Sequence, residues 1–282
     1  MLWQTSRFDL NLTRPQVMGI VNVTPDSFSD GGQHASTVEA LRHCERLLKD
    51  GADILDIGGE STRPGSPAVP LDEELARVVP LVRDAVQLGV PVSVDTYKPE
   101  VMRAVLDLGA DIVNDIWALR RPGALEVVAR HPRCGVCLMH MHRDPQTMQS
   151  APMRGDVVPQ VLQFLEQAAQ NLQGQGVHRS RIALDPGIGF GKTVEQNFAL
   201  LKRQEALAAA GFPLLLGWSR KSSIGAALQG DAPEPQPPDQ RVIGSVAAAL
   251  MAVERGAHIV RVHDVRETVQ ALQVLAAVYA AA

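Results

Sequence analysis

One alternation runs through almost the whole of this chain. Short runs rich in Val, Ile and Leu stop at polar or glycine-rich loops, and a helix-length amphipathic segment follows each. The runs are Val17–Val23, Ile54–Gly58, Val92–Asp95, Ile112–Asn114, Val136–Met139, Ile182–Asp185, Leu214–Gly217 and Ile259–Val262. The intervening helices are predicted at Thr37–Lys49, Glu73–Leu88, Pro99–Leu108, Ala124–Ala129, Val157–Leu172, Thr193–Ala210, Arg241–Arg255 and Val265–Tyr279. Gly51, Gly89, Gly109, Gly176, Gly211 and Gly256 stand where helices should close before the next strand. Eight consecutive βα units without a composition break predict an α/β fold, a (β/α)8 TIM barrel, rather than a doubly wound sheet.

The length of 282 residues and 45% apolar content suit one barrel domain spanning 1–282, and 4% aromatics argue against a β-sandwich. Residues 1–15 fall outside the alternation and are expected over the barrel floor. The proline-rich stretch at 230–240 reads as an exposed, stiffened loop. A net charge of -4 leaves no basic footprint for nucleic acid, and no apolar run approaches the roughly 18 residues of a membrane span. The start MLWQTSRFDL has no secretory pattern, and three cysteines do not make a disulfide framework, so a cytoplasmic enzyme is expected.

Active sites of such barrels lie where strands end. Polar groups collect there: Asn22, with Thr24, Asp26 and Ser27; Glu60 to Arg63; Asp95; Asn114 and Asp115; His140; Asp185; Ser219, Arg220 and Lys221; Arg261, His263 and Asp264. Strand ends are wet, which accounts for about half of these. It accounts poorly for Asn22, Asp95, Asn114, Asp185 and Arg261, which sit in or against apolar runs. Carboxylates in a barrel mouth are costly unless paired, so Asp95 and Asp185 point to a ligand rich in N–H donors. Arg63, Arg220, Lys221 and Arg261 point to a strong anion.

Three motifs are decoys. Asp185-Pro186-Gly187-Ile188-Gly189-Phe190-Gly191-Lys192-Thr193 ends like a nucleotide P-loop, but Pro186 stands where the first Gly is needed. Its glycines are expected to let backbone pass beside a ligand, and Lys192 and Thr193 to begin a helix. Cys134 and Cys137 lead into a strand and read as buried thiols. His140 and His142 lack the further histidines of a metal-hydrolase barrel.

Eight motifs in order carry a resemblance. Val21-Asn22-Val23-Thr24-Pro25-Asp26-Ser27-Phe28-Ser29-Asp30-Gly31-Gly32 and Gly51 through Gly65, with Asp56-Ile57-Gly58-Gly59-Glu60-Ser61-Thr62-Arg63-Pro64-Gly65, come first. Ser93-Val94-Asp95-Thr96, Asn114-Asp115-Ile116, Leu138-Met139-His140-Met141, the Asp185 loop, Ser219-Arg220-Lys221-Ser222 and Arg261-Val262-His263-Asp264 follow. Over about residues 16–275 the chain resembles dihydropteroate synthases, enzymes of folate biosynthesis. The resemblance implies transfer of the dihydropterinylmethyl group from its diphosphate to 4-aminobenzoate, with Mg²⁺, a homodimer and sulfonamide inhibition.

Carried over residue by residue, it implies a pterin site of Asp95, Asn114, Ile116, Met139, Asp185, Phe190, Gly217, Lys221 and Arg261. Arg261 would stack on the pterin or clamp the diphosphate. The diphosphate would meet Asn22, Thr62, Arg63, Arg261 and His263, with Asn22 also on the metal. The aminobenzoate would meet Phe28, Thr62, Arg63, Pro64, Phe190, Ser219, Lys221 and Ser222. Asp95, Asn22, Arg63, Lys221, Arg261 and His263 would be the catalytic group. Arg143, Asp144, Trp218, Ser223 and the proline-rich loop depart from the pattern. The rival readings are a pterin-binding methyltransferase domain that serves a corrinoid protein from methyltetrahydrofolate, and a pterin-binding scaffold without activity. The Thr62–Gly65 and Ser219–Lys221 segments argue against the first, since a methyl donor has no diphosphate to hold. Asn22, Arg63 and Lys221 argue against the second.

Overall fold

The computed structural model describes residues 1–23, 32–62 and 65–281. After a hairpin of β1 (Leu2–Gln4) and β2 (Asp9–Asn11), the chain alternates as its pattern predicts. The first half runs β3 (Gln16–Asn22), α1 (Gly32–Lys49), β4 (Ile54–Gly58), α2 (Leu71–Ala85), β5 (Val92–Asp95), α3 (Pro99–Asp107), β6 (Ile112–Asp115) and α4 (Ala124–Arg130). The second runs β7 (Gly135–Met139), α5 (Val157–Gly174), β8 (Ile182–Asp185), α6 (Val194–Lys202), α7 (Glu205–Ala208), β9 (Leu215–Leu216), α8 (Ser222–Ala227), α9 (Val242–Glu254), β10 (Ile259–Val262) and α10 (Val265–Ala280).

The eight parallel strands pair in the order β8-β7-β6-β5-β4-β3-β10-β9, and a bridge from Leu184 to Leu214 brings the two ends together. This is the (β/α)8 barrel. Successive side chains point to opposite faces of a strand. The outward set, including Val21, Leu55, Val94, Val136 and Leu216, packs under the helices in two large clusters. The inward set makes the floor from Met18, Ile54, Ile112, Cys137, Ala183, Leu215 and Ile259. The N-terminal hairpin closes that floor as expected: Trp3 is fully buried in the floor cluster and donates its indole N–H to the Arg181 carbonyl at 3.0 Å.

The six helix-closing glycines all lie in the left-handed region, with φ from 73° to 101°. Most ends shift by a few residues, and three larger differences from the sequence pattern stand out. The predicted helix Thr193–Ala210 breaks into α6 and α7 at Arg203–Gln204, where the buried Gln204 turns away to donate to the Ala252 and Arg255 carbonyls closing α9. The short helix α8 has no counterpart in the pattern, because six residues are too few for an apolar period. β9 is only two residues long, shorter than the Leu214–Gly217 run. The stretch 231–240 is almost wholly exposed, as read, although Arg241 ties it down through the Gln236 carbonyl.

Candidate active site

The inward residues above the apolar floor are mostly polar, and they open into a cavity of about 710 Å³ at the C-terminal ends of the strands. Every predicted site residue among those described lines it. Asn22 comes from β3, Thr62 from the segment after β4, and Asp95 from the end of β5. Asn114 and Ile116 come from β6 and its exit, Met139 from β7, Asp185 from β8 and Phe190 from the loop beyond. Gly217, Ser219, Lys221 and Ser222 follow β9, and Arg261 and His263 sit on and after β10. Phe28, Arg63 and Pro64 lie outside the described residues, as do Thr24, Asp26 and Ser27.

The centre of the site is an ion-pair network that the sequence reading did not contain. Arg261 Nε donates to Asp56 Oδ2 at 2.6 Å and Arg261 Nη2 to Asp95 Oδ2 at 2.8 Å. Asn114 Nδ2 reaches the same Asp56 oxygen at 3.2 Å. Asp95 is therefore paired within the protein, not waiting for a ligand alone. Burial pushes Asp95 upward, Arg261 opposes this, and Asp56, Glu74 and Asp115 add to the push. Burial would lower Arg261, but Asp56 and Asp95 outweigh it and hold the guanidinium charged. Asp56 had one available signal: it is a charge at inward parity in an otherwise apolar strand, opposite Ser93.

Asp185 is a second carboxylate lining the cavity. Its Oδ1 accepts the Gly187 N–H at 2.7 Å, and burial raises it to about 6 against that bond and the pull of Lys221, Lys192 and Arg261. Lys221 stands 4.4 Å from the centre of the Phe190 ring, so a cation and an aromatic face share one wall. His263 is pushed down to about 3 by burial and by Arg261, Arg220 and Lys221, so the ring is neutral at physiological pH.

The Asp185 loop is built differently from expectation. A Cβ on Gly187 would stand 1.9 Å from the His140 carbonyl oxygen, and one on Gly191 would stand 2.6 Å from the His142 Cβ. These two glycines admit the neighbouring loop after β7, not a ligand; only Gly189 faces the pocket side, against Lys221. Thr193 does begin α6, with a reciprocal capping box to Gln196. Lys192 does not simply begin a helix. Its buried ammonium donates to the Gly187 carbonyl at 2.8 Å, the Phe190 carbonyl at 3.1 Å and His140 Nδ1 at 2.9 Å. With a longer contact to the His140 carbonyl at 3.5 Å, these bonds pin the loop that carries Phe190. Ser223, one of the departures, is accounted for: it accepts from Asn197, whose Oδ1 accepts the Gly189 N–H at 2.9 Å.

Arg220, expected with Arg63, Lys221 and Arg261 to point to an anion, makes a two-point pair with Asp264, at 3.0 and 2.5 Å. Arg241 and Pro238 also line the cavity, brought in by the proline-rich loop, and no local pattern singled them out. Glu60 and Glu74 share Lys98, and Glu60 accepts from Tyr97 Oη at 2.8 Å, which anchors the root of the segment carrying Thr62. Cys134 and Cys137 are buried, and burial raises both thiols. Among the described residues no three His, Cys, Asp or Glu side chains are grouped to hold a metal.

The family model described as pterin binding enzyme matches residues 18–263. The chain is 50% identical over 278 residues to the dihydropteroate synthase of Neisseria meningitidis serogroup B, covering 97% of this chain and 96% of that one. The chain belongs to the dihydropteroate synthase family. It superposes on the Burkholderia cenocepacia dihydropteroate synthase complexed with 7,8-dihydropteroate with a TM-score of 0.90 and 53% identity, over 99% of this chain and 96% of the other. The Xanthomonas albilineans dihydropteroate synthase with 4-aminobenzoic acid gives a TM-score of 0.91 and 48% identity over 100% of both chains. The chain is accordingly a transferase of the dihydropteroate synthase kind, and the corrinoid methyltransferase reading is not favoured. No helix among the described residues is long and apolar enough to cross a membrane.

Proposed function

We propose that this cavity joins (7,8-dihydropterin-6-yl)methyl diphosphate to 4-aminobenzoate by dissociative substitution at the pterin methylene carbon. The observation that carries the reading is one cavity presenting both buried carboxylates and cations. A pterin's aminopyrimidinone edge offers N–H donors to Asp185, with Asn114 beside it. Ile116, Met139 and Phe190 form the apolar and aromatic wall for the ring. The methylene C–O bond breaks with its electron pair leaving on the diphosphate, and the resulting cation is conjugated with the ring. Asp95 faces that charge. Arg261, held between Asp56 and Asp95, and His263 face the leaving group, together with Thr62, Arg63 and Asn22. The aminobenzoate nitrogen then forms the C–N bond and releases a proton, leaving no covalent enzyme intermediate. Ser219, Lys221, Ser222, Phe28 and Pro64 belong to the aminobenzoate end, where sulfonamides should compete.

Asn22 presents one hard oxygen at the mouth, which suits Mg²⁺, an ion that keeps waters and substrate phosphates for much of its shell. Bound there, it would offset the negative charge of the departing diphosphate.

Incubation with the pterin diphosphate, Mg²⁺ and 4-aminobenzoate should yield dihydropteroate and diphosphate; absence of both products would refute the assignment, and a trapped pterin–enzyme adduct would refute the mechanism. The same reading includes a cytoplasmic location and a homodimer. Ile243 on α9 and Val274, Val278 and Tyr279 on α10 are 85%, 67%, 65% and 70% exposed, a large apolar surface for two neighbouring helices. Light scattering should give twice the chain mass, falling to one for Ile243→Asp with Val278→Asp. A monomeric parent protein would overturn the homodimer.

A further inference from the structure

Ser219 and His263 leave adjacent strands, and their side chains meet inside the cavity. Ser219 Oγ lies 3.0 Å from His263 Nδ1, and the His263 backbone N–H donates to the same Oγ at 3.1 Å. Ser219 is buried, at 6% exposure. A serine hydroxyl has one proton to give. Among the described residues, the only acceptor it meets is His263 Nδ1. Donation there satisfies a buried group that would otherwise be orphaned. It also leaves Nδ1 without a proton of its own, so a neutral ring carries its proton on Nε2. The surroundings favour the neutral ring: burial disfavours an imidazolium most, and Arg261, Arg220 and Lys221 add to it against the pull of Asp264.

The two neutral tautomers differ sharply toward an anion. With Nε2–H, the ring offers a donor to whatever occupies the cavity beside it. With Nδ1–H, it offers a lone pair, which repels phosphate oxygens. We propose that Ser219 is a positioning residue that holds His263 in the Nε2–H tautomer, so that the ring meets the departing diphosphate as a hydrogen-bond donor. This rests on the assignment of His263 to the diphosphate. It gives Ser219 a task separate from any contact with 4-aminobenzoate. It also makes His263 a donor and not a general acid, since loss of its only N–H proton would leave an imidazolate.

Histidine ¹⁵N spectra at neutral pH read the tautomer directly, with the His263 signal assigned by its disappearance in His263→Gln. The parent protein should show an unprotonated Nδ1 and a protonated Nε2. Ser219→Ala should give mixed tautomers and bind inorganic diphosphate with Mg²⁺ roughly tenfold more weakly. Ser219→Thr, which keeps the hydroxyl, should restore both. A protonated Nδ1 in the parent, or an unchanged tautomer in Ser219→Ala, overturns the proposal. An altered tautomer with unchanged diphosphate affinity places the failure in the His263 assignment beneath it. An effect of Ser219→Ala confined to the KM for 4-aminobenzoate, with the tautomer intact, leaves Ser219 as a substrate contact and also overturns it.

Discussion

Asp185→Asn should weaken pterin binding roughly a hundredfold while leaving the folded protein at least as stable as the parent. The two halves of this result have separate causes. Asn keeps an oxygen for the Gly187 N–H, now accepted at 2.7 Å, so the loop retains its anchor. Its amide would then present N–H donors to the donors of the pterin edge, turning an attraction into a repulsion. The stability half follows from burial. Asp185 is raised from 3.8 to about 6, so between those values the folded chain holds a proton that the unfolded chain has released. The residue's contribution to stability therefore falls as pH rises through that window, and above it the buried carboxylate is a net cost on the order of 3 kcal/mol. Asn removes that cost. Thermal denaturation and pterin titration at pH 7.5 test the pair of claims; an unchanged pterin affinity would sink the role of Asp185. In the parent, pterin affinity should decline as pH drops through about 6, because the carboxyl gains a proton and loses acceptor capacity. The Asn variant should lose this acid limb.

Arg261→Met should be the most damaging single change in the cavity. Met fills much of the same volume but leaves Asp56 and Asp95 buried without their common cation, which now stands 2.6 and 2.8 Å from them. Removing one partner of a buried ionic group costs about 3–5 kcal/mol, because the remaining charge is desolvated and unpaired. Activity should be lost as well, since Arg261 lines the cavity in which we propose that the pterin and its leaving diphosphate sit. The pH dependence identifies the cause. Burial pushes Asp95 upward and Arg261 opposes it, so without Arg261 that carboxyl gains protons at higher pH. Urea unfolding should show a larger loss at pH 8 than at pH 5. An equal loss at both would assign the effect to packing. Arg261→Lys should recover only part of it, since one ammonium cannot reproduce a planar fork held between two carboxylates.

Much of the lining of the candidate site is legible in the sequence. Asp95, Asn114, Asp185 and Arg261 stand out because a charged or amide side chain in an apolar run demands a partner. The barrel rule then says on which end of the strands that partner should be. Asp56 was passed over because it lies mid-strand, where a polar residue is ordinarily a packing exception. Its partner Arg261 is 205 residues away. The spacing predicts Lys192 at the start of a helix. Its real surroundings, acceptors drawn from two loops, belong to no local pattern. Nothing in the neighbourhood of Arg220 along the chain shows that Asp264 closes on it.

The division has a physical origin. Strand and helix periods, closing glycines and the polar ends of strands are written within a few residues of one another, so the sequence by itself determined the barrel and the face on which its chemistry lies. Which carboxylate takes the arginine, which loop the glycines of the Asp185 segment must admit, and which histidine nitrogen is left for a ligand depend on side chains brought together from different strands. Those pairings are decided by distances of about 3 Å across the barrel. Only the closed sheet sets them.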